Sequence, residues 1–280
     1  MTSLVDLHRG IRRHPWKTLQ YMFTCFSVIV TIFRGITYFI PTIKLEGRVP
    51  LAIAICASIV YSLKKVWKPS RIEICVSHCN TVIEVLFGDL FAQDGIRTIA
   101  VNDFFDSKLG KPVSDKSIHG IFIQKCFGGH QESFDKQVDE QLKSTNADEV
   151  EKVEGKTRRY PIGSTALVTV NSDRYLAFAF ANTDPATCKA SSNVTTMWIA
   201  LHQLWQRVRI EAGGYPVNVP LVGSGLSGIG LPTRDLLDLI ILSAITETKT
   251  REITQKIRIV LHRARFDDLD LRDILQHWKE

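Results

Sequence analysis

The N-terminal quarter of the chain contains two long apolar runs. Residues 21–33 carry no charge and the apolar pattern resumes after Arg34 and Gly35, while residues 49–63 form the second run. A helix that spans a bilayer needs about 20 apolar residues. The pattern therefore predicts a transmembrane helical hairpin within residues 1–69, with helices at about 18–40 and 49–67.

Basic residues flank the predicted hairpin on both outer sides. They are Arg9, Arg12, Arg13 and Lys17 before the first run, and Lys64, Lys65, Lys68 and Arg71 after the second. Because Lys and Arg favour the cytoplasmic side, both termini and the rest of the chain are predicted to be cytoplasmic. A cleaved signal peptide would have a shorter apolar core and no second run with a basic flank.

Arg34 interrupts the first apolar run. A lone guanidinium is costly in hydrocarbon unless it reaches the interface, pairs with another group or faces water. Two interpretations stay open. Either the helix ends near Phe33 and Arg34 lies at the membrane interface, or Arg34 lines a polar path between assembled hairpins.

Beyond Arg71 the pattern changes to short β-type runs that alternate with helical periodicity. The predicted strands are residues 71–77, 82–88, 96–102, 165–170, 175–182, 217–222 and 256–262. The predicted helices are residues 114–127, 132–144, 193–212, 233–249 and 269–278. This alternation is typical of a layered α/β domain, here residues 70–280. The charged stretch at residues 144–159 is predicted to be an exposed loop.

The distribution of charge argues against a nucleic-acid partner. The net charge is +6, but residues 1–69 hold ten basic and two acidic residues, whereas the other 211 hold 25 basic and 27 acidic ones. A nucleic-acid-binding domain would need a basic face of its own. The six cysteines are scattered, and Cys75, His78 and Cys79 have no second ligand pair nearby, so no metal site is predicted.

A glycine-rich stretch lies between a predicted strand and a predicted helix. Gly223, Gly225 and Gly228 spell G-x-G-x-x-G. Glycine lets a backbone approach a ligand closely, and a helix N-terminus favours phosphate. A dinucleotide-binding turn would require an acidic residue at the end of the next strand, which here ends in His-Arg-Ala-Arg, and no Walker lysine follows. An anion-binding loop and a glycine turn without a ligand both fit.

A second motif gives the glycine loop a context. Residues 82–103 combine a strand, Gly88-Asp89, a short turn, a second strand and a terminal Asn102. Together with the late glycine loop, this order resembles the macro domain, a three-layer α/β/α fold with a mixed sheet that binds ADP-ribose and related nucleotides. The resemblance covers about residues 71–265.

The macro-domain resemblance implies a set of ligand-binding residues. Asp89 would accept a hydrogen bond from the adenine amine, and Leu90 would lie beside the adenine. The loop at 101–110, with Asn102 and Asp103, would surround the diphosphate and distal ribose. The second loop would hold the diphosphate through its backbone N–H groups; its residues are Gly223, Ser224, Gly225, Leu226, Ser227, Gly228 and Ile229.

Two departures from the macro-domain pattern affect the expected activity. Hydrolytic members carry Val-Asn-Ala-Ala-Asn, whereas this chain has Phe105 at the second asparagine and no glycine run after it. Ser227 stands where a stacking aromatic is expected. These changes favour a binding pocket over a hydrolase, with no catalytic residue and no cofactor. A membrane-tethered ADP-ribosyl hydrolase that uses Asp103 or Asp106 is the alternative, and a structural membrane scaffold is a third.

The complete architecture, two N-terminal membrane helices followed by a divergent macro domain, resembles the effectors of type II Thoeris anti-phage systems. That resemblance implies an inner-membrane protein of bacterial antiviral defence that acts by abortive infection. Its ligand would be an ADP-ribose derivative, such as an ADP-ribose–amino acid conjugate, made by a partner TIR protein. It further implies a homo-oligomer that disrupts the lipid bilayer when the ligand binds.

Overall fold

The computed structural model describes residues 4–13, 15–43, 47–225 and 228–278. The chain divides into two units. The first comprises residues 1–72 together with Asp270–Asp273, and the second comprises residues 73–269 and 274–280.

The first unit is helical. It contains α1 (Leu4–Arg13), α2 (Pro15–Phe39) and α3 (Arg48–Val66). By length and composition α2 and α3 can each cross a membrane, with a mean hydropathy of 1.6 in both. Their bounds lie close to the predicted ones. Helix α1 was not predicted, because its ten residues mix apolar and charged positions.

The helix α2 does not stop at Phe33. It continues through Arg34 to Phe39, so the interpretation that ends the helix before Arg34 is wrong. No proline follows Phe33 within the helix, and the Thr37 hydroxyl donates to the carbonyl oxygen of Phe33 at 2.8 Å, which does not interrupt the helix. The guanidinium therefore projects from the body of the helix, where it is exposed on the helix surface.

One face of α3 is buried. Its buried positions recur every four residues, at Ala54, Ser58, Ser62 and Val66. Small side chains at this spacing let two helices approach closely. The Ser62 hydroxyl donates to the Thr18 carbonyl of α2 at 2.6 Å, so the two long helices are joined by a hydrogen bond as well as by packing.

The segment Asp270–Asp273 caps the end of α3. Arg272 donates to the carbonyl oxygens of Lys64 and Lys65 at 3.0 and 3.3 Å. Its guanidinium is held by Asp270 at 2.5 Å. A cation at a helix C-terminus satisfies carbonyl groups that have no partner in the helix.

The second unit is built around a sheet with helices on its faces. Its strands are β1 (Arg71–Cys75), β2 (Val82–Gly88), β3 (Ile96–Asn102), β4 (Asp148–Glu149), β5 (Arg158–Arg159), β6 (Thr165–Val170), β7 (Asp173–Thr183), β8 (Ala190–Ser191), β9 (Val217–Pro220) and β10 (Lys256–His262). Its helices are α4 (Ile118–Phe127), α5 (Glu132–Gln141), α6 (Val194–Glu211), α7 (Thr233–Thr250) and α8 (Leu271–His277), with short 3-10 turns η1 (Leu90–Ala92) and η2 (Arg263–Phe266). The first residues of β1 and of α8, 71–72 and 271–273, are counted with the first unit.

The main sheet is mixed. Its order is β1-β2-β10-β9-β3-β7-β6, and β8 pairs with β7. The five strands β2, β10, β9, β3 and β7 are parallel, while β6 and β8 run antiparallel to β7. The nearly continuous apolar run of β7 is buried on both faces, as expected of a central parallel strand.

The long helices α6 and α7 cover the sheet with apolar faces. Trp205 of α6 is fully buried, and its indole N–H donates to the Ser243 hydroxyl of α7 at 3.0 Å. The start of α6 is capped by Asn193, whose side chain accepts a hydrogen bond from Thr196 N at 2.8 Å. These helices fix the sheet on which the candidate site is built.

The charged stretch at 144–159 is largely exposed, as the sequence predicted. It differs from a simple loop in two ways: β4 and β5 pair as a short antiparallel hairpin, and the side chain of Lys152 between them is fully buried. The physical reason is charge pairing. Asp106, 46 residues earlier in the chain, lies against Lys152, so the buried cation is compensated by an opposite charge.

Candidate ligand-binding site at the carboxyl edge of the sheet

Five parallel strands end at one edge of the sheet. They end at Gly88, Asn102, Thr183, Pro220 and His262. In open α/β sheets, ligands bind outside the carboxyl ends of the strands. The sequence-predicted site residues follow three of these strands, β2, β3 and β9, so the fold brings them to the same edge.

Asp89 follows β2 and is accessible. Its carboxylate accepts a hydrogen bond from Phe91 N at 3.0 Å, which starts the turn η1. Lys125 Nζ lies 3.5 Å from the other oxygen, and the Asp89 side chain is 52% exposed. An ionised carboxylate has about four acceptor sites, so capacity remains for an amine donor. Leu90, by contrast, is buried in the apolar core.

The loop that follows β3, residues 102–110, is largely closed. Residues 103–107 are all buried, and only Asn102 and residues 108–110 reach the surface. The Asn102 amide nitrogen donates to Asp106 Oδ2 at 2.7 Å, and its oxygen accepts from Asp106 N at 3.0 Å. Asn102 is thus oriented by a residue of its own loop.

Asp103 is occupied by protein partners. Its Oδ1 accepts from Thr183 N at 2.9 Å, and Oδ2 lies 3.0 Å from Arg159 Nε. The side chain is 1% exposed. Burial raises the pKa of this carboxyl, while the charge of Arg159 and the bonds from Thr183 act in the opposite direction. Its predicted contact with a ligand stays a prediction.

The glycine loop between β9 and α7, residues 221–231, is the open part of this edge. Gly223 has φ of 83°, and an added Cβ would lie 2.8 Å from Ile229 Cδ1, so its backbone conformation requires glycine. Gly225 and Gly228 are exposed, and a Cβ at Gly225 would meet nothing within 4 Å. Leu226 and Ser227 lie outside the described residues.

Two short-range bonds shape the described part of the glycine loop. Ile229 N donates to the carbonyl of Gly223 at 3.0 Å, and the Ser224 hydroxyl donates to that of Leu221 at 3.1 Å. The helix α7 then begins after Pro232, which offers no side-chain cap to its first N–H groups. A helix start of this kind, next to exposed glycines, suits an anion.

The comparison with family models covers both loops of this edge. Residues 83–262 match the family model described as Thoeris protein ThsA, Macro domain. The match spans both the Gly-Asp turn after β2 and the glycine loop after β9. The chain belongs to this family.

Solved structures confirm the fold of this ThsA macro domain. The Oceanobacillus iheyensis macrodomain with ADP superposes with a TM-score of 0.51 at 9% identity, covering 74% of this chain and 98% of that one. A glycine-to-valine variant of that macrodomain with ADPR gives a TM-score of 0.52 at 11% identity and the same coverage. A search of curated proteins found no match.

The main feature that sequence reasoning missed in the ThsA macro domain is a set of ion pairs behind loop 102–110. Arg159 pairs with Asp103, Lys156 lies 2.7 Å from Asp135, and Lys152 pairs with Asp106. A signal was present in the sequence. Two acidic residues flank two phenylalanines in loop 102–110, and buried carboxylates need cationic partners.

The described residues of this ThsA macro domain offer no ligand set for a metal ion. No group of three His, Cys, Asp or Glu side chains there is arranged to hold a metal ion. All six cysteines are free thiols, of which Cys188 is buried. At the carboxyl edge, backbone N–H groups are suited to binding an anion. The exposed carboxylate of Asp89 is suited to accepting a hydrogen bond from an amine.

Proposed function

We propose that this chain is a membrane-anchored effector of bacterial anti-phage defence whose macro domain binds an ADP-ribose-derived nucleotide. The observation that carries the proposal is the pairing of an accessible Asp89 with an open glycine loop on one edge of a Thoeris-family macro domain. Asp89 accepts a hydrogen bond from the adenine amine, and the backbone N–H groups of the glycine loop hold the diphosphate.

The proposed contacts divide between the two loops. Gly223, Ser224, Gly225, Leu226, Ser227, Gly228 and Ile229 surround the diphosphate, and Leu90 supports the adenine from the core side. Asn102 and Asp103 shape the wall near the distal ribose. The bound ligand comes from a partner TIR protein, as the family relationship implies, and an amino acid conjugate of ADP-ribose fits that source.

Binding of the nucleotide is proposed to affect the membrane by causing several copies of the chain to assemble. The helices α2 and α3 are proposed to span the bacterial inner membrane with both termini and the macro domain in the cytoplasm. Two helices in one chain cannot enclose a pore, so several copies must assemble to disrupt the bilayer. A ligand shifts such an equilibrium only when it binds one assembly state more tightly than the other.

Hydrolysis of ADP-ribosyl groups has less support. Its candidate catalytic groups, Asp103 and Asp106, are both buried and paired with cations. A general acid or base must reach the reacting atoms within hydrogen-bond distance. In this conformation both carboxylates are instead enclosed by their protein partners.

The test uses the full chain reconstituted in liposomes that hold a fluorescent dye. ADP-ribose and its amino acid conjugates are added, and dye release and oligomeric state are followed together. We expect leakage and a larger assembly with at least one of these nucleotides, and less of both with Asp89→Ala. No leakage and no change in assembly with any of them contradicts the proposal.

A further inference from the structure

We propose that Lys152 is a positioning residue for the ligand: through Asp106 it fixes the orientation of Asn102 and the shape of loop 102–110. This inference rests on the proposed binding of ADP-ribose-type nucleotides. It concerns a residue that lies 50 positions away from Asn102 in the sequence, in the hairpin behind the loop.

The contacts form a chain from Lys152 to Asn102. Lys152 Nζ pairs with Asp106 Oδ2, and both side chains are 0% exposed. The same Asp106 oxygen accepts from the Asn102 amide at 2.7 Å. The Asn102 oxygen in turn accepts from Asp106 N. A change at Lys152 therefore reaches Asn102 through one carboxylate.

The backbone of the hairpin behind the loop makes close contacts with Asp106. Its other oxygen, Oδ1, accepts from Lys156 N at 2.8 Å. Gly155 has φ of 99°, and an added Cβ there would overlap Asp106 Oδ1. The backbone of the hairpin thus comes within contact distance of the carboxylate, and only glycine permits the approach.

The cation of Lys152 is enclosed by protein groups. Its Nζ lies 4.3 Å from the centre of the Phe104 ring, while Asp106 faces it from the loop. A cation over an aromatic face is stabilised by the ring electrons. Removing one member of a buried ion pair leaves the other charge uncompensated, so the loop must rearrange.

The loop backbone also needs to be held. Phe105 has φ of 51° and is fully buried, and a bulky residue is strained in this left-handed conformation. Such strain persists only where the surroundings enforce it. The Lys152–Asp106 pair lies next to Phe105 in the chain and supplies this constraint. Without it we expect the backbone to relax and Asn102 to turn away from the ligand.

The chain offers a matched control pair. Lys108 and Glu154 join the same loop and the same hairpin, with Nζ and Oε1 2.6 Å apart. Their side chains are 58% and 32% exposed, so water replaces the contact when it is lost. Glu154→Gln therefore breaks this contact from the hairpin side, outside the loop proposed to surround the ligand, without disturbing the buried network.

The experiment measures the dissociation constant of ADP-ribose by calorimetry on the detergent-solubilised full chain, below the unfolding temperature of every variant. We expect Lys152→Met to weaken binding about tenfold or more, and Glu154→Gln to leave it within about twofold. Asp106→Asn, which keeps the shape of the side chain, serves if Lys152→Met does not fold. Unchanged affinity in a folded Lys152→Met or Asp106→Asn protein overturns the inference.

A double variant separates positioning from stability. Lys152→Met with Asp106→Leu removes both buried charges, and such replacement commonly restores stability. We expect the unfolding temperature to recover while affinity stays low, because Asn102 still lacks its partner. Recovery of both properties means that the pair is only structural and overturns the inference.

A ligand-free measurement distinguishes failure of this inference from failure of the proposed function. Hydrogen exchange of the amides at 103–107 is expected to accelerate in Lys152→Met and not in Glu154→Gln. If the wild type binds no ADP-ribose nucleotide, the proposed function fails, and faster exchange still supports the role of Lys152 in shaping the loop. Equal exchange in the two variants overturns that role as well.

Discussion

The two loops at the carboxyl edge of the sheet are built in opposite ways. Loop 102–110 is buried from residue 103 to residue 107 and is held by ion pairs to the hairpin behind it. The described part of the glycine loop at 221–231 exposes Gly225 and Gly228 and is shaped by backbone hydrogen bonds. One wall of the proposed pocket is therefore fixed by buried ion pairs, and the other stays accessible because its glycines carry no side chains.

The first prediction compares two glycines: Gly155, in the hairpin behind loop 102–110, and Gly225, in the glycine loop. Gly155→Ala should lower the free energy of unfolding by about 2–4 kcal/mol, because it adds backbone strain and overlap with Asp106. Gly225→Ala should change it by less than about 0.5 kcal/mol, since an added Cβ meets nothing. Chemical denaturation of the two variants measures both values, and equal losses would remove the contrast between the loops.

The second prediction uses low pH to reduce the stability of the macro domain through one buried histidine. His119 of α4 is buried, and burial, aided by the charge of Lys156, lowers its pKa to about 3. Above the ordinary pKa of about 6.5 this histidine is neutral in both the folded and the unfolded chain. Below that pH the unfolded chain takes up a proton first, so stability falls as the pH decreases towards 3.

The expected loss from His119 is about 2 kcal/mol between pH 6.5 and pH 5, since each pH unit contributes about 1.4 kcal/mol. Denaturation at the two pH values measures it. His119→Leu should reduce the loss, whereas His130→Leu, a change just beyond the other end of α4, should not. A His119→Leu protein with the same pH dependence as the wild type would contradict this assignment.

The third prediction concerns only the exposed glycine loop at 221–231. Gly225→Val should leave the unfolding temperature nearly unchanged and weaken ADP-ribose binding about tenfold or more, because the side chain occupies the space through which a phosphate approaches. Calorimetric titration of Gly225→Ala and Gly225→Val gives a series of increasing size. Binding that is independent of side-chain size at this position would remove the diphosphate from this loop.

The smallest expected effect is at Asp89. Asp89→Asn should weaken nucleotide binding by about 0.5–1.5 kcal/mol, the usual contribution of one hydrogen bond. Stability should hold, because an asparagine oxygen still accepts from Phe91 N. Lys125→Met is the control, since it removes the exposed cation near Asp89 and keeps the carboxylate. A larger loss of affinity in the control would show that Lys125, not Asp89, contacts the ligand.

Much of the fold follows from local pattern. The strands β2, β3, β6 and β10 have the predicted bounds, because each is a short apolar run that is buried in the sheet. The macro-domain order also placed Asp89 and the glycine loop at one edge. These features depend on residues close together in the sequence and on the parallel arrangement of the strands.

The closed wall of the site did not follow from the sequence. The burial of Lys152 depends on Asp106, and nothing in the charged stretch itself indicates that partner. Charge runs are usually solvated, and most of this stretch is exposed, so the buried side chain of Lys152 is the exception that the pattern does not reveal. Helix α1 was missed for a related reason: Asp6, a charged residue, is buried inside its unit. Local pattern predicts apolar burial better than it predicts paired charge.

The most direct test of this account is hydrogen exchange of the full chain with and without ADP-ribose. Peptides that cover the glycine loop and the start of α7 should gain protection on binding, whereas residues 103–107 should already be protected and change little. Protection confined to another part of the macro domain, or none at a saturating nucleotide concentration, would contradict the claim that the nucleotide is bound at the carboxyl edge of the sheet.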